Sequence, residues 1–244
     1  MVAQDKYTDD TLFNGRIRCV QHRKGYRFSL DAILLGNFIS LRADEKILDL
    51  GCGSGIVSLI LAYRYPSCQI TGLEIQADLA LLAQKNVAAN DWQERIAILQ
   101  GDLRQIEKQL PAGRYDCLVS NPPYRKTGSG RVNIETEQFL ARHEKMADVE
   151  SVVKAAAWSL KNKGRAAFIY PAVRTATVFY EMKKQWLEPK RMQTVYSYPG
   201  SPATLVLVEA VKGGGEELEI MAPFYVYQEQ EGNYSPEMEA CYKP

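Results

Sequence analysis

The stretch KILDLGCGSGIVSLILAYRY, residues 46–65, decides the fold. KILDLG is an apolar run typical of a buried strand, and IVSLILAYRY (56–65) is typical of a helix. Between them lie Gly51, Gly53 and Gly55, which permit a left-handed backbone and let a ligand approach closely. The helix N-terminus that follows offers free N–H groups and a positive dipole end to an anion. The loop therefore predicts a site for a nucleotide or for a cofactor that carries a carboxylate.

The alternation of strand-like and helix-like runs continues along the chain. Nearly all-apolar strands joined by helices imply a parallel sheet that is covered on both faces. The short link PGSP (199–202) implies that the last two strands form an antiparallel hairpin. We therefore predict an α/β fold with a Rossmann-like, doubly wound, mostly parallel seven-stranded sheet and an antiparallel C-terminal hairpin. The predicted strands are 46–51, 69–74, 96–100, 115–120, 165–170, 194–198 and 204–211, and the predicted helices are 29–41, 56–65, 77–90, 151–160 and 175–186.

Two carboxylates follow neighbouring predicted strands. Glu74 ends the second strand, where an acid can hold ribose hydroxyls, and Asp102 follows the third. The glycine spacing differs from the dinucleotide fingerprint G-x-G-x-x-G, and the Gly-Lys-Ser/Thr of a P-loop is missing. On these residues alone, a tight strand–helix turn and a nicotinamide site remain alternatives.

DLGCGSG with these two acids resembles the class I S-adenosylmethionine-dependent methyltransferases, over about residues 29–211. The resemblance implies that the glycine loop holds the methionine part of S-adenosylmethionine. It also implies that Glu74 holds the ribose and Asp102 the adenine amino group, with no metal. The implied cofactor-binding residues are Asp49, Gly51, Cys52, Gly53, Gly55, Glu74, Asp102, Leu103 and Asn121.

The fourth predicted strand ends in the corner VSNPPYR (119–125). A planar amino or amide nitrogen is a poor nucleophile because its lone pair is delocalised. The Asn121 side-chain oxygen and the Pro122 carbonyl can accept its two hydrogens, and Pro123 makes the direction of that carbonyl rigid. Tyr124 can stack on a flat target. These four residues are therefore the candidate catalytic residues, with a plain proline turn as the alternative.

The corner resembles the (D/N)PP(Y/F) motif of N-methyltransferases that act on adenine N6, guanine N2 or glutamine amides. The segments 25–38 (GYRFSLDAILLGNF) and 232–242 (GNYSPEMEACY) also look like the bacterial tRNA(valine) adenine-N6-methyltransferases. That resemblance implies methyl transfer to an adenine N6 in the anticodon-loop region of a tRNA. It also implies that Tyr26, Phe28 and Ser29 cover the cofactor.

Three other functions stay open at this point. One is N5-glutamine methylation of a protein such as a release factor. Another is methylation of guanine N2 or adenine N6 in ribosomal RNA. The third is an RNA-binding module with a vestigial cofactor site.

Charge is unevenly distributed along the chain. Residues 213–244 carry seven Glu and one Lys against an overall net charge of +1, so the first 212 residues are basic. Basic residues near the N-terminus and the corner alternate with aromatic residues, which predicts contacts with RNA phosphates. A solvated charged face is the alternative. The candidate nucleic-acid contacts are Arg16, Arg18, Arg23, Lys24, Arg125, Lys126 and Arg131.

Composition excludes several classes of protein. The chain has 244 residues, 46% of them hydrophobic, which suffices for one domain with a full core. It has no apolar run long enough to span a membrane, and its polar N-terminus is unlike a signal peptide. Five scattered cysteines and two histidines favour reduced thiols over a metal site. We expect a cytoplasmic enzyme that requires no membrane, metal or oligomer.

The expected organisation has three parts. Residues 1–28 form a basic segment that binds substrate and covers the cofactor, and residues 29–211 form the methyltransferase domain. Residues 212–244 form an acidic tail, which we expect to be peripheral because it is polar.

Overall fold

The structure is a computed structural model that describes residues 7–23, 30–122 and 148–243. Its helices are α1 (Leu30–Phe38), α2 (Ile56–Arg64), α3 (Ala77–Ala89), α4 (Val149–Ser159), α5 (Thr175–Lys184) and α6 (Pro236–Ala240), with 3-10 turns at Leu103–Lys108 and Ala172–Arg174. Its strands are β1 (Tyr7–Leu12), β2 (Ile17–His22), β3 (Lys46–Leu50), β4 (Gln69–Glu74), β5 (Ile96–Gln100), β6 (Tyr115–Ser120), β7 (Leu160–Pro171), β8 (Leu187–Tyr196), β9 (Ala203–Lys212), β10 (Glu219–Ile220) and β11 (Phe224–Tyr225).

The main sheet has the predicted doubly wound topology. Seven long strands lie in the order β8-β9-β7-β6-β3-β4-β5. Of these, β9 is antiparallel to both of its neighbours, and the other adjacent pairs are parallel. The two-residue strands β10 and β11 each pair in parallel with β8. The predicted seven-stranded sheet is thus confirmed, with two short strands added beside β8.

Helices cover both faces of the sheet. Successive residues of a strand point to opposite faces, so neighbours in β3 pack against different helices. Ile47 of β3 belongs to one hydrophobic cluster with α1, α2 and α3. Its neighbour Leu48 belongs to a second cluster with α4 and α5. Close packing of α1 on α2 requires Gly36, since a Cβ there would lie 2.6 Å from Ile60 Cγ2.

Two strands begin well before their predicted starts. β7 begins at Leu160 and β8 at Leu187, five and seven residues before the expected starts. In β8 the added half contains Pro189, at a point where the pairing with β9 shifts register. This half contains a proline and charged residues, so it does not form the apolar run that predicts a buried strand. Proline is nevertheless tolerated where the pairing of strands is irregular.

The N-terminal segment contains an antiparallel hairpin that the sequence analysis did not predict. β1 and β2 pair from Tyr7↔His22 to Leu12↔Ile17. Ile17 is fully buried, and Phe13 stacks on Tyr63 at the end of α2, with ring centroids 5.0 Å apart. The first part of the chain therefore contributes to the hydrophobic core.

The acidic C-terminal segment also packs on the domain, which differs from the expected peripheral position. Val226 is 4% exposed and Met238 of α6 is fully buried. Asn37 of α1 donates a side-chain hydrogen bond to the Cys241 carbonyl at 3.2 Å. Within the described residues, no helix is long and apolar enough to cross a bilayer.

Candidate active site

The glycine loop joins β3 to α2 at the carboxyl edge of the sheet. Gly51, Gly53 and Gly55 all have left-handed φ angles, of 75°, 57° and 84°. A Cβ at Gly51 would meet nothing within 4 Å, so the backbone there faces open space. A Cβ at Gly55 would lie 3.2 Å from the Ala83 Cβ, which explains a glycine where the loop meets α3.

Glu74 closes one side of the loop. Its Oε2 accepts the Gly53 amide hydrogen, with an N–O distance of 2.9 Å. Its Oε1 accepts from the Gln76 amide at the same distance. The side chain belongs to a residue that is only 5% exposed, and this burial raises the pKa of Glu74. Glu74, which we predict to bind the ribose, thus also fixes the conformation of the glycine loop.

Asp49 lies behind the loop, where it contacts α2. Its Oδ2 accepts from the Ser58 hydroxyl at 2.7 Å and from the Ser58 amide at 3.1 Å. The residue is 1% exposed, and burial raises its pKa to about 7. The Asp49 carboxylate therefore stabilises the first turn of α2. Contact of Asp49 with the cofactor stays a prediction.

Asp102 follows β5 and begins the 3-10 turn at Leu103–Lys108. Its Oδ1 accepts from the Arg104 amide at 2.9 Å, and its Oδ2 lies 2.6 Å from Arg104 Nη2. The hydrogen bond from Arg104 lowers the pKa of Asp102. Leu103 packs against the second hydrophobic cluster. Asp102 is therefore a charged acceptor held at the same edge as Glu74.

The corner after β6 lies beside the glycine loop. Asp49 of β3 is opposite Val119 of β6, and these two residues precede Gly51 and Asn121 by two positions each. The Ser120 hydroxyl donates to the Leu50 carbonyl at 2.7 Å and ties the two strand ends together. Asn121 is half-buried and Pro122 is buried. The structure thus brings the described part of the predicted corner, residues 119–122, close to the predicted cofactor loop.

The cysteines do not form a reactive or metal-binding centre in the part of the chain that the structure describes. All five are free and buried. Burial raises the pKa of the Cys52 thiol well above its ordinary value. Across the described ranges, no group of three or more His, Cys, Asp and Glu side chains is arranged to hold a metal ion.

Three predicted phosphate contacts lie on the described N-terminal hairpin. Arg18 pairs with Asp9 at 2.7 Å, and its backbone lies against Asn90 at the C-terminal end of α3. Because α3 runs back from the carboxyl edge for 13 residues, this end is about 20 Å from that edge. Arg16 lies in the hairpin turn itself, where its amide donates to the Phe13 carbonyl at 3.2 Å. Arg23 directly follows β2, at the end of the strand that is closer to the glycine loop.

Several predicted site residues lie outside the described residues. They are Lys24, Tyr26, Phe28, Ser29, Pro123, Tyr124, Arg125, Lys126 and Arg131.

Four residues that shape the site were not predicted. Ser58 orients Asp49, and Arg104 orients Asp102. Ser120 holds the strand end before Asn121. Asn86 of α3 is fully buried and contacts both the glycine loop and β2. The signal for Asn86 was weak: asparagine is a poor helix former, and a second one follows four residues later at Asn90.

A family model matches more than half of the chain. The family model described as "methyltransferase small domain" matches residues 30–177. The chain belongs to this family. It is a methyltransferase. The tRNA1(Val) (adenine(37)-N6)-methyltransferase of Tolumonas auensis is 30% identical over 226 residues, which covers 89% of this chain and 88% of that protein.

Other relatives and solved structures extend the comparison. The enzyme of the same name from Porphyromonas gingivalis strain W83 is 31% identical over 189 residues, covering 75% of this chain and 73% of the relative. The crystal structure of a predicted O-methyltransferase from Agrobacterium tumefaciens superposes with a TM-score of 0.71 at 20% identity, covering 86% of this chain and 94% of that one. This structural likeness shows the fold.

Proposed function

We propose that this methyltransferase transfers a methyl group from S-adenosylmethionine to the exocyclic N6 of an adenine in the anticodon-loop region of a tRNA. The observation that carries the proposal is the Ser120–Leu50 hydrogen bond, which ties the strand end before Asn121 to the strand end before Gly51. Asn121 would then offer a hydrogen-bond acceptor for an amino group next to the loop that would hold the cofactor.

The residues around the loop fit S-adenosylmethionine. Gly51 faces open space, and the first turn of α2 has amide groups without helical partners, which suit the methionine carboxylate. The Ser54 hydroxyl is buried and has no hydrogen-bond partner among the described residues, so it can serve a polar ligand. Glu74 would hold the ribose and Asp102 the adenine amino group.

Bound S-adenosylmethionine would supply a methyl group on a positively charged sulfur. The Asn121 side-chain oxygen and the Pro122 carbonyl would accept the two N6 hydrogens and direct the nitrogen lone pair towards that methyl group. The new N–C bond would form as the bond from the methyl group to sulfur breaks, with S-adenosylhomocysteine as the leaving group. The nitrogen would become cationic and easily lose a proton to water. The corner therefore acts by positioning and by electrostatics, and a strong base is not required. Pro123 would fix the Pro122 carbonyl, and Tyr124 would stack on the adenine.

The nature of the acceptor rests on the relatives and on charge. The two relatives described above are named for adenine 37 of tRNA1(Val). A loop adenine can be splayed out of its stack into a pocket, which an adenine within a duplex does only at a higher cost. Arg23 leads towards the carboxyl edge, and Lys24, Arg125, Lys126 and Arg131 would add phosphate contacts. A tRNA acceptor would place the enzyme in the cytoplasm.

The test is to incubate the protein with S-adenosylmethionine labelled in the methyl group and with either unmodified tRNA or a release factor. We expect label in tRNA, recovered as N6-methyladenosine after digestion to nucleosides. Label in the release factor alone would overturn the RNA assignment and favour glutamine N-methylation.

A further inference from the structure

Two asparagines, Asn86 in α3 and Asn90 directly after it, hold strand β2 by its backbone. Asn86 Oδ1 accepts from the Val20 amide at 2.7 Å, and Asn86 Nδ2 donates to the Val20 carbonyl at 3.0 Å. Asn90 repeats the pattern at Arg18, accepting from its amide at 2.9 Å and donating to its carbonyl at 2.8 Å. The two amides thus occupy the hydrogen-bonding groups that a neighbouring strand would otherwise fill.

Asn86 also contacts the glycine loop, which Asn90 does not. Its Nδ2 also donates to the Ser54 carbonyl of the glycine loop at 2.9 Å. On the other side of the same peptide bond, the Gly55 amide donates to the Cys52 carbonyl at 2.8 Å. This peptide is therefore fixed at both ends. One fully buried side chain joins the hairpin to the loop that faces the proposed cofactor.

The contact also sets the direction in which the chain leaves the hairpin. β2 runs from Arg18, beside the C-terminal end of α3, to Val20 one turn closer to the N-terminal end of that helix. The strand therefore points to the carboxyl edge, where Glu74 and the glycine loop lie. The C-terminal end of α1 lies at the opposite edge, since the Tyr65 hydroxyl donates to the Ile39 carbonyl at 3.0 Å. The chain thus leaves β2 and enters α1 on the cofactor side.

We propose that Asn86 is a positioning residue that couples docking of the N-terminal hairpin to the conformation of the glycine loop. The proposal rests on the proposed binding of S-adenosylmethionine at that loop. Cofactor bound at the loop would hold the Ser54 carbonyl still more firmly against Asn86, and the same amide group would then hold Val20 more firmly. Such coupling is reciprocal, so a docked hairpin also strengthens binding of the cofactor.

Hydrogen exchange of the hairpin amides tests the coupling, with S-adenosylhomocysteine as the probe. In the wild-type protein we expect the probe to slow exchange across residues 17–22 by at least about fivefold. Asn86→Ala should exchange faster without the probe and lose this response. Asn90→Ala is the matched control: it weakens docking but leaves the Ser54 contact, so the response to the probe should persist.

Kinetics supply a second readout. Asn86→Ala should raise the KM for S-adenosylmethionine about tenfold and change kcat less than about threefold, because Asn86 acts through the loop and touches no reacting atom. Asn90→Ala should change both constants little. Asn86→Gln, which keeps the amide but displaces it by one methylene, replaces Asn86→Ala should that variant not fold, and we expect the same loss of response.

The outcomes separate this inference from the proposed function. A wild-type protein that binds the probe with unchanged exchange in residues 17–22 would overturn the coupling alone. An equal loss of response in Asn86→Ala and Asn90→Ala would also overturn it. A wild-type protein that binds no S-adenosylhomocysteine would overturn the proposed cofactor and the coupling together.

Discussion

The Ser120 hydroxyl donates to the Leu50 carbonyl at 2.7 Å, across the ends of the two central strands. Leu50 precedes Gly51 of the cofactor loop, and Ser120 precedes Asn121 of the corner. This hydrogen bond therefore fixes the position of the candidate catalytic side chain relative to the candidate cofactor site.

Ser120→Ala should lower both stability and turnover. Loss of one buried hydrogen bond should cost about 1 kcal/mol in the free energy of unfolding. Displacement of the corner should lower kcat about tenfold, while the Kd for S-adenosylhomocysteine changes little. Urea denaturation, calorimetry and steady-state kinetics measure these three quantities.

Ser159→Ala is the control for that experiment. The Ser159 hydroxyl is also fully buried and donates to the Ala155 carbonyl at 2.8 Å, but it lies in α4. A similar loss of stability with wild-type kcat is expected. An equal fall in kcat for both variants would show that the Ser120 hydrogen bond has no particular part in placing the corner.

Gly72→Ala should disturb the cofactor loop from beneath. The new Cβ would lie 2.7 Å from Ile98 Cδ1 and 2.8 Å from Cys52 Sγ. Overpacking of this kind costs about 1–3 kcal/mol of stability, and displacement of Cys52 should weaken cofactor binding. Gly215→Ala, whose Cβ would meet nothing within 4 Å, should change stability by less than about 0.5 kcal/mol. Wild-type affinity in Gly72→Ala would contradict the expected strain on the loop.

Asp49 should make stability depend on pH. Burial raises its pKa from 3.8 to about 7, so the folded state binds the proton more tightly than the unfolded chain. The resulting stability is fully present below about pH 4 and is lost as pH rises to about 7. The loss is at most about 4 kcal/mol. Glu74 has a raised pKa as well and contributes in the same direction.

Asp49→Asn should flatten this dependence, measured as the free energy of unfolding in urea at intervals between pH 4 and 7. Asp102→Asn is the contrasting variant. Arg104 lowers the pKa of Asp102, so its contribution is lost as pH falls below about 4. An unchanged slope in Asp49→Asn between pH 4 and 7 would mean that Asp49 is already charged in the folded protein.

RNA binding should depend more on Arg23 than on Arg18. Arg18 is paired with Asp9 and lies far from the carboxyl edge, so it reaches only an RNA that extends along the hairpin. Each lost phosphate contact should reduce the slope of log K against log salt by about 0.7–0.9. Affinity measured at several salt concentrations should show this reduction in Arg23→Ala and a smaller one in Arg18→Ala. The reverse order would place the RNA along the hairpin.

The sequence predicted the central sheet because its strands are apolar and its glycine loop is a local pattern. The hairpin was missed although Asn14-Gly15 is a strong turn signal, since β1 is polar and only alternate residues of β2 are buried. The contacts of Ser120 with Leu50 and of Asn86 with Val20 join residues more than 60 positions apart. Such contacts depend on the folded topology, and no local pattern in the sequence reveals them.

In the site, motif spacing predicted the positions of residues along the chain but not all of their contacts. Gly51, Glu74 and Asn121 were predicted from motif spacing, and the structure brings them to one edge of the sheet. Asp49 belongs to the same motif, yet its carboxylate contacts Ser58, because its side chain points beneath the loop. Spacing predicts which strand end a residue occupies, whereas its contacts depend on neighbouring elements.

The role of Asn121 in methyl transfer is measured by the rate at which Asn121→Ala forms N6-methyladenosine in unmodified tRNA, from mass spectrometry of digested nucleosides. We expect a rate at least about 100-fold below wild type, with the affinity for S-adenosylhomocysteine unchanged. A wild-type rate in Asn121→Ala would show that Asn121 does not position the amino group.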